Sequence, residues 1–122
     1  MKKIITLLCC TLFLCSCGSE KQEDKVVVQE VKCTEAMELV DDGAVLIDVR
    51  TLAEYNAEHL DGALNIAVDV IADKIESEVP DKDTKIVVYC RSGNRSATAA
   101  QTLIDMGYKN VYDLGAMSNC AE

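Results

Sequence analysis

The sequence is short of several residue types, and each shortage argues against a class of protein. Its 122 residues include no tryptophan, one proline and one histidine, His59. With a single histidine and no Cys-x-x-Cys pair, a zinc site is not expected, and nothing else in the sequence indicates a metal or cofactor. The longest apolar run covers residues 4–14, and a membrane-spanning helix needs roughly 20 apolar residues. A spanning helix is therefore the weaker interpretation of that run.

Basic residues are also scarce. Lys and Arg together number 12 against 21 Asp and Glu, which gives a net charge of −9. An acidic surface of this kind repels phosphate groups, and nucleic acid is therefore not expected as a partner. Charge alone would also not hold the chain on an anionic membrane. The length and the 49% of hydrophobic residues are those of one small globular domain with a leader, which we expect to be a monomer.

The first 25 residues have the organisation of a leader and a tether. Lys2 and Lys3 precede the apolar run, and the segment 14–17, Leu-Cys-Ser-Cys, follows it. This segment resembles the lipobox of bacterial lipoproteins, which implies cleavage before Cys17 and acylation of that residue. We therefore expect a signal peptide at 1–16, a lipidated cysteine and flexible tether at 17–25, and a folded domain at 26–122. The resemblance implies a lipid-anchored, extracytoplasmic protein of the bacterial cell envelope; the alternative is an ordinary secreted protein.

Processing of the leader would reduce the seven cysteines to three. Cys9, Cys10 and Cys15 would leave with the signal peptide, and Cys17 would carry lipid. The remaining cysteines are Cys33, Cys90 and Cys120. Since three is an odd number, at most one disulfide can form within the chain, and we expect Cys90 to stay free.

Hydrophobic periodicity predicts strands and helices in alternation. The predicted strands are 26–31, 44–47, 63–66, 85–89 and 110–114. The predicted helices are 34–40 with Thr34 as N-cap, one that opens on a Thr51–Glu54 capping box, one whose apolar face is 68, 71, 75 and 79, and 97–106. This order predicts an α/β fold, with a mainly parallel five-stranded sheet covered by helices on both faces.

The most informative stretch is Cys90-Arg91-Ser92-Gly93-Asn94-Arg95-Ser96, which lies between a predicted buried strand and a helix. Backbone N–H groups of such a loop point inward, and the helix N-terminus adds partial positive charge. Together with two arginines, they favour a thiolate and would hold an anion beside it. A structural thiol at a strand end would not explain two arginines and a glycine within five residues.

From Asp48 to Leu114 the chain resembles the rhodanese homology domain, a family of single-domain sulfurtransferases. The matching segments are Asp48-Val49-Arg50, Glu54-Tyr55, His59-Leu60, 62–66, 88–96, 106–108 and 111–115. The resemblance implies that the Cys90 thiolate takes sulfur from a small anionic donor such as thiosulfate, a polysulfide or a persulfide. A thiol, cyanide or a protein would then accept the sulfur from the Cys90 persulfide.

The same resemblance implies roles for the loop around Cys90. The amides of residues 91–96 would hold the outer sulfur, while Ser92 and Gly93 let the backbone curl. Arg95 would place a fixed charge beside the persulfide, and Arg91 would attract the donor at the rim. For this chemistry we expect a thiol that is unbridged, accessible and directed at converging amides.

Two other functions compete with sulfur transfer. Cysteine-dependent phosphatases and arsenate reductases of this fold resemble Cys-x5-Arg, whereas the spacing here is Cys-x4-Arg, and the shorter loop better fits one sulfur atom than a tetrahedral oxyanion. A persulfide carrier with little turnover is the second alternative. We expect Asp48 and Arg50 to support the loops, His59 to be packed and hydrogen-bonded, and Tyr55 to be in the core.

Cys33 and Cys120 are left with three alternatives. In the family the first and last strands are neighbours, so a disulfide between these residues is conceivable; two independent small hydrophobes, or a resolving role for Cys120, are the others. The residues after Gly115 depart from the family, which has a second glycine and then a tryptophan there, and Cys120 stands at the tryptophan position.

Overall fold

The fold is a five-stranded, wholly parallel sheet with helices on both faces, as seen in a computed structural model that describes residues 25–121. The strand order is β1-β5-β4-β2-β3. The strands are β1 Gln29–Glu30, β2 Val45–Asp48, β3 Leu64–Asn65, β4 Lys85–Cys90 and β5 Asn110–Ala116. The helices are α1 Cys33–Asp41, α2 Leu52–Ala57, α3 Ile71–Glu78, α4 Asn94–Asp105 and a short 3-10 helix, Met117–Cys120.

Alternation along β4 divides the core between the two faces of the sheet. Ile86, Val88 and Cys90 belong to an apolar cluster that includes Ile75 of α3 and Leu103 of α4. The side chains of the intervening residues point to the opposite face of the sheet, because successive side chains of a strand alternate between the two faces. Val87 and Tyr89 therefore pack in a second cluster, with Ala36 of α1 and Tyr55 of α2. The predicted fold class is confirmed.

The sheet places the cysteine loop at the carboxyl edge of its central strand. β4 lies between β2 and β5, and Cys90 is its last residue, beside Ala116 of β5. A bulge on β5 shifts the register by one residue, so that Val88 pairs with Asp113 but Tyr89 pairs with Gly115. Ligands of open parallel sheets bind at this edge.

Most strand and helix boundaries differ from the predictions by one or more residues, and three of the differences are described here. β1 has only two paired residues, because it is an edge strand with β5 as its single neighbour. α1 starts at Cys33, and its cap is Lys32 rather than Thr34, since the Glu35 carboxylate accepts a hydrogen bond from the Lys32 amide at 3.3 Å. α4 begins at Asn94, three residues before the predicted start, so part of the loop is its first turn.

The predicted signal peptide at 1–16, Cys17 and all of the tether but its final residue lie outside the described residues. Within residues 25–121, no helix has the length and apolar character needed to cross a membrane.

Candidate active site

The sulfur of Cys90 lies inside a tight turn of the backbone. Gly93, the N-cap of α4, has a φ of 100°, a left-handed conformation that other residues adopt only with strain. This turn directs two amides at the sulfur: the N–H of Gly93 at 3.0 Å and the N–H of Ser96 at 3.3 Å. The loop therefore has the inward-pointing amides that the sequence predicted, and they come from its glycine and from the first turn of α4.

Ser96 also ties the loop together. Its side chain is fully buried, and its hydroxyl donates a hydrogen bond to the Gly93 carbonyl at 3.1 Å. This bond links the first turn of α4 to the glycine that opens it. Because a hydroxyl has one proton, its main effect is on the shape of the loop, and the amides remain the principal donors to the sulfur.

These surroundings lower the pKa of the Cys90 thiol. Burial raises this pKa, because it disfavours the charged form, but hydrogen bonds from Ser96, Gly93 and Ser92 favour the thiolate and outweigh the burial. The pKa of Cys90 is therefore below the ordinary value of a thiol. The sulfur is also unbridged, since Cys90 is the free cysteine of the described residues.

In one respect Cys90 differs from the expectation. Its exposed fraction is 0%, whereas the chemistry requires a thiol that a donor can reach. The same curl that aims the amides of Gly93 and Ser96 at the sulfur also covers it, because both residues approach within hydrogen-bond distance. An incoming sulfur atom can therefore reach Cys90 only when this cover opens.

Arg95 is held by a partner that the sequence did not reveal. Its guanidinium forms two hydrogen bonds with the Glu54 carboxylate, at 2.8 and 3.1 Å. Glu54 is also the N3 residue of the predicted capping box, which is present: its carboxylate accepts a hydrogen bond from the Thr51 amide, and the Thr51 hydroxyl accepts one from the Glu54 amide. Arg95, followed by the Thr51 amide, lowers the pKa of Glu54 to about 2. Arg95 is thus a neutralised, fixed group at the loop.

The other polar residues of the loop face outward. Arg91, Ser92 and Asn94 are exposed. No hydrogen bond or ion pair joins the Arg91 side chain to another residue of the described part of the chain. It borders a cavity of about 610 Å³. Arg91 was predicted to attract the donor at the rim, and this role stays a prediction.

Asp48 and Arg50 form a buried ion pair below the site. Arg50 contacts both carboxylate oxygens of Asp48, with its Nη2 at 2.7 Å from Oδ2, and the Tyr89 hydroxyl donates to Oδ2 at 2.9 Å. Arg50 Nη2 also donates to the Glu58 carbonyl, and Asn65 bonds the backbone of both members of the pair. This network joins the ends of β2, β3 and β4, as a supporting role requires.

His59 and Tyr55 lie beside that network. The His59 ring stacks on Tyr55 with centroids 3.8 Å apart, and its Nδ1–H donates to the Tyr55 carbonyl at 2.8 Å. His59 is hydrogen-bonded as predicted, but it is exposed rather than packed, because only one of its faces is covered. Tyr55 is partly buried, and its hydroxyl donates to the Ala63 carbonyl at 2.6 Å.

The structure contains the Cys33–Cys120 disulfide, one of the three alternatives left open by the sequence. The two Cα atoms are 5.2 Å apart, and the bridge closes a separation of 87 residues. It fastens residues 117–121, here called the tail, to the start of α1. Met117, Ser118 and Cys120 of the tail line the same cavity as Arg91.

Comparisons with known proteins match this domain throughout its functional part. The family described as Rhodanese-like domain matches residues 32–119. Thiosulfate sulfurtransferase PspE of Escherichia coli (strain K12) is 39% identical over 75 residues, which are 62% of this chain and 72% of that protein. Thiosulfate sulfurtransferase GlpE of Coxiella burnetii is 34% identical over 90 residues, covering 73% of this chain and 82% of that protein.

A solved structure agrees with these sequence matches. The rhodanese with anions from E. coli has a TM-score of 0.62 and 37% sequence identity, over 65% of this chain and 93% of that chain. The range matched by the family includes Cys90, its whole loop and the Glu54 that holds Arg95.

Proposed function

The chain belongs to the rhodanese-like domain family, and from this premise we propose that it transfers sulfane sulfur through a persulfide on Cys90. Its similarity to two thiosulfate sulfurtransferases, at 39% and 34% identity, supports a rhodanese-like sulfurtransferase. The observation that carries the proposal is an unbridged sulfur that accepts hydrogen bonds from two backbone amides, that of Gly93 at 3.0 Å and that of Ser96 at 3.3 Å.

In the first step, the Cys90 thiolate attacks the outer sulfur of a donor such as thiosulfate. A bond forms between Sγ and that sulfur, the S–S bond of thiosulfate breaks, and sulfite leaves with the electron pair. The product is an anionic Cys90 persulfide. A covalent intermediate of this kind divides the transfer into two displacements.

The protein assists by fixing charge around this persulfide. The amides that donate hydrogen bonds to Sγ in this structure are positioned to donate them to the outer sulfur of the persulfide, which carries the negative charge. Arg95, immobilised by Glu54, attracts the negative charge on Cys90 without any rearrangement during the reaction, although the Glu54 carboxylate offsets much of this attraction. In the second step the acceptor attacks the outer sulfur, and Cys90 leaves again as a thiolate.

The enclosure of Cys90 adds a requirement to this scheme. Since the sulfur is 0% exposed, the loop must open for the donor and could close over the persulfide afterwards. Closure would keep water and stray thiols away from the intermediate. The Cys-x4-Arg spacing of the loop argues against a phosphatase, because the phosphatases of this fold have one more residue between the cysteine and the arginine.

Steady-state kinetics test the reaction class. We expect turnover of thiosulfate with cyanide, parallel double-reciprocal lines when both are varied, and no turnover of an aryl phosphate. The variant Cys90→Ser should lack all transfer. Hydrolysis of the aryl phosphate without formation of thiocyanate would contradict the proposal and support the phosphatase alternative. A single turnover with every acceptor tried would support a carrier.

We further propose that the mature chain begins at a lipidated Cys17, for which the support is the sequence segment 14–17. The test is the mass of the mature N-terminus after expression in a bacterium. A mass that includes acyl groups on Cys17 is expected, and an unmodified N-terminus would refute the proposal.

A further inference from the structure

The cavity beside Arg91 suggests which acceptors the site prefers, a question that the proposed function leaves open. The cavity is lined by the end of α2 and the following loop, with Ala57 and Leu60, and by the tail, with Met117 and Ser118. Arg91 borders the cavity and directly follows the nucleophile. A molecule bound there contacts the residue next to the nucleophile, whereas Gly93 of the cover borders a second cavity.

The arginines of this chain differ in whether they have an ionic partner. The chain has three arginines. Arg50 is paired with Asp48 at 2.7 Å, and Arg95 with Glu54 at 2.8 Å, so both are neutralised. Arg91 has no ionic partner within residues 25–121 and is exposed, which leaves one guanidinium available to a ligand. A guanidinium binds carboxylates in a bidentate manner.

The other groups in the cavity define the rest of the ligand. Leu60, Ala57 and Met117 are apolar and could contact a short hydrocarbon chain. Glu58 also borders the cavity, and its charge would disfavour an anion, so we assign the selectivity for a carboxylate to Arg91. The size, about 610 Å³, suits a small molecule.

We propose that this cavity is the acceptor site and that it takes a small thiol bearing a carboxylate. This inference rests on the proposed function. The carboxylate binds Arg91 and the thiolate of the ligand attacks the outer sulfur of the Cys90 persulfide. A new S–S bond forms in the ligand, the bond between Sγ and the outer sulfur breaks, and its electron pair stays on Cys90. No oxidant or reductant is consumed.

The disulfide has a positioning role in this site. Among the described residues, the tail makes one hydrogen bond outside its own turn, from the Asn119 amide group to the Leu114 carbonyl at 2.9 Å. The rest of its attachment to the domain consists of apolar contacts and of the Cys33–Cys120 bridge, which fastens it to the start of α1. Without the bridge, Met117 and Ser118 would lose this anchor and would no longer be held at the cavity.

The experiment compares two thiols of similar size, 3-mercaptopropionate and 2-mercaptoethanol, on enzyme first loaded with sulfur by thiosulfate. The ratio of their second-order discharge rates measures the preference for a carboxylate, and comparison between variants cancels the intrinsic reactivity of each thiol. We expect Arg91→Gln to lower this ratio roughly tenfold and Glu58→Gln to raise it about twofold. The control Lys85→Gln removes the same charge at the opposite end of β4 and should leave the ratio unchanged.

The wall is tested with the double variant Cys33→Ser/Cys120→Ser, which should lose the preference while still accepting sulfur onto Cys90. If that variant does not fold, Met117→Ser tests the wall with the bridge intact and should also lower the ratio. An unchanged ratio in Arg91→Gln overturns the carboxylate site, and an unchanged ratio in the wall variant that folds overturns the role of the tail. If Cys90 never takes up sulfur, the proposed function itself fails, so the two failures are distinguishable.

Discussion

Replacement of Asp48 by Asn should destabilise the fold severely without removing the chemistry. Asp48 is 0% exposed and Arg50 only 6% exposed, and five hydrogen bonds connect this carboxylate to Arg50 and Tyr89. The amide keeps the shape of the side chain but removes its charge, so the Arg50 guanidinium stays buried without a counter-ion. Breaking a buried pair in this way typically costs about 3–5 kcal/mol. This is a large share of the unfolding free energy of a small domain, which is ~5–15 kcal/mol.

The assay is urea unfolding followed by far-UV circular dichroism, together with sulfur transfer per folded molecule. We expect Asp48→Asn to lose about 3–5 kcal/mol of unfolding free energy, while the transfer rate stays within about threefold. The control is Asp83→Asn, which removes the exposed ion pair with Lys109 at 3.5 Å and should cost at most about 1 kcal/mol.

A second variant separates the buried charge from loss of packing. Asp48→Asn/Arg50→Met removes both charges and should regain much of the stability lost by the single variant, because a buried pair replaced by apolar groups is often no less stable. The reasoning is refuted if Asp48→Asn unfolds within about 1 kcal/mol of wild type. A large loss of transfer rate at unchanged stability would instead make Asp48 a catalytic residue.

Three further predictions concern the thiol, the fixed arginine and the bridge. Iodoacetamide should alkylate Cys90 with a pH midpoint below the ordinary thiol value of about 8.5, and a bulky maleimide should react far more slowly because the sulfur is enclosed; a midpoint at or above that value contradicts the proposed thiolate. The Glu54 carboxylate has a pKa of about 2 in the folded state, so it should stabilise the fold at pH values above its unfolded pKa of about 4.3, and this stabilisation should be lost as the pH falls towards 2. The urea midpoints of wild type and Glu54→Gln should therefore converge over that pH interval. A constant difference between the two midpoints would show that the ion pair with Arg95 does not stabilise the fold. The Cys33–Cys120 bridge spans 87 residues, for which chain entropy gives about 4.6 kcal/mol, so a reductant should lower the urea midpoint of wild type but not of the double serine variant, and no shift in wild type would mean that the bridge is absent in solution.

The cysteine loop could be predicted from the sequence because every part of it is local. A strand that ends in Cys90, a glycine with left-handed backbone at Gly93 and a helix directly after it determine one another within a few residues. The sheet was predictable for a similar reason, since apolar runs alternating with amphipathic segments permit few arrangements other than a parallel α/β fold. These expectations rested on short-range patterns, and the structure confirms the fold that they imply.

Features that depend on distant parts of the chain were not predictable. Glu54 and Arg95 are 41 residues apart, and the role of Glu54 in the capping box already explained its presence. The enclosure of Cys90 depends on how closely the first turn of α4 approaches β4, which periodicity does not reveal. The bridge between Cys33 and Cys120 was one of several alternatives, because a pairing depends on the path of the tail after Gly115.

The most direct test of the central claim is the intact mass of residues 25–122 after incubation with thiosulfate and removal of the excess. We expect wild type to gain about 32 Da, the mass of one sulfur atom, and to lose it when cyanide is added. The variant Cys90→Ser should show no gain under the same conditions. A gain that persists in Cys90→Ser, or a wild type that takes up no sulfur from either thiosulfate or a polysulfide, would contradict a persulfide on Cys90.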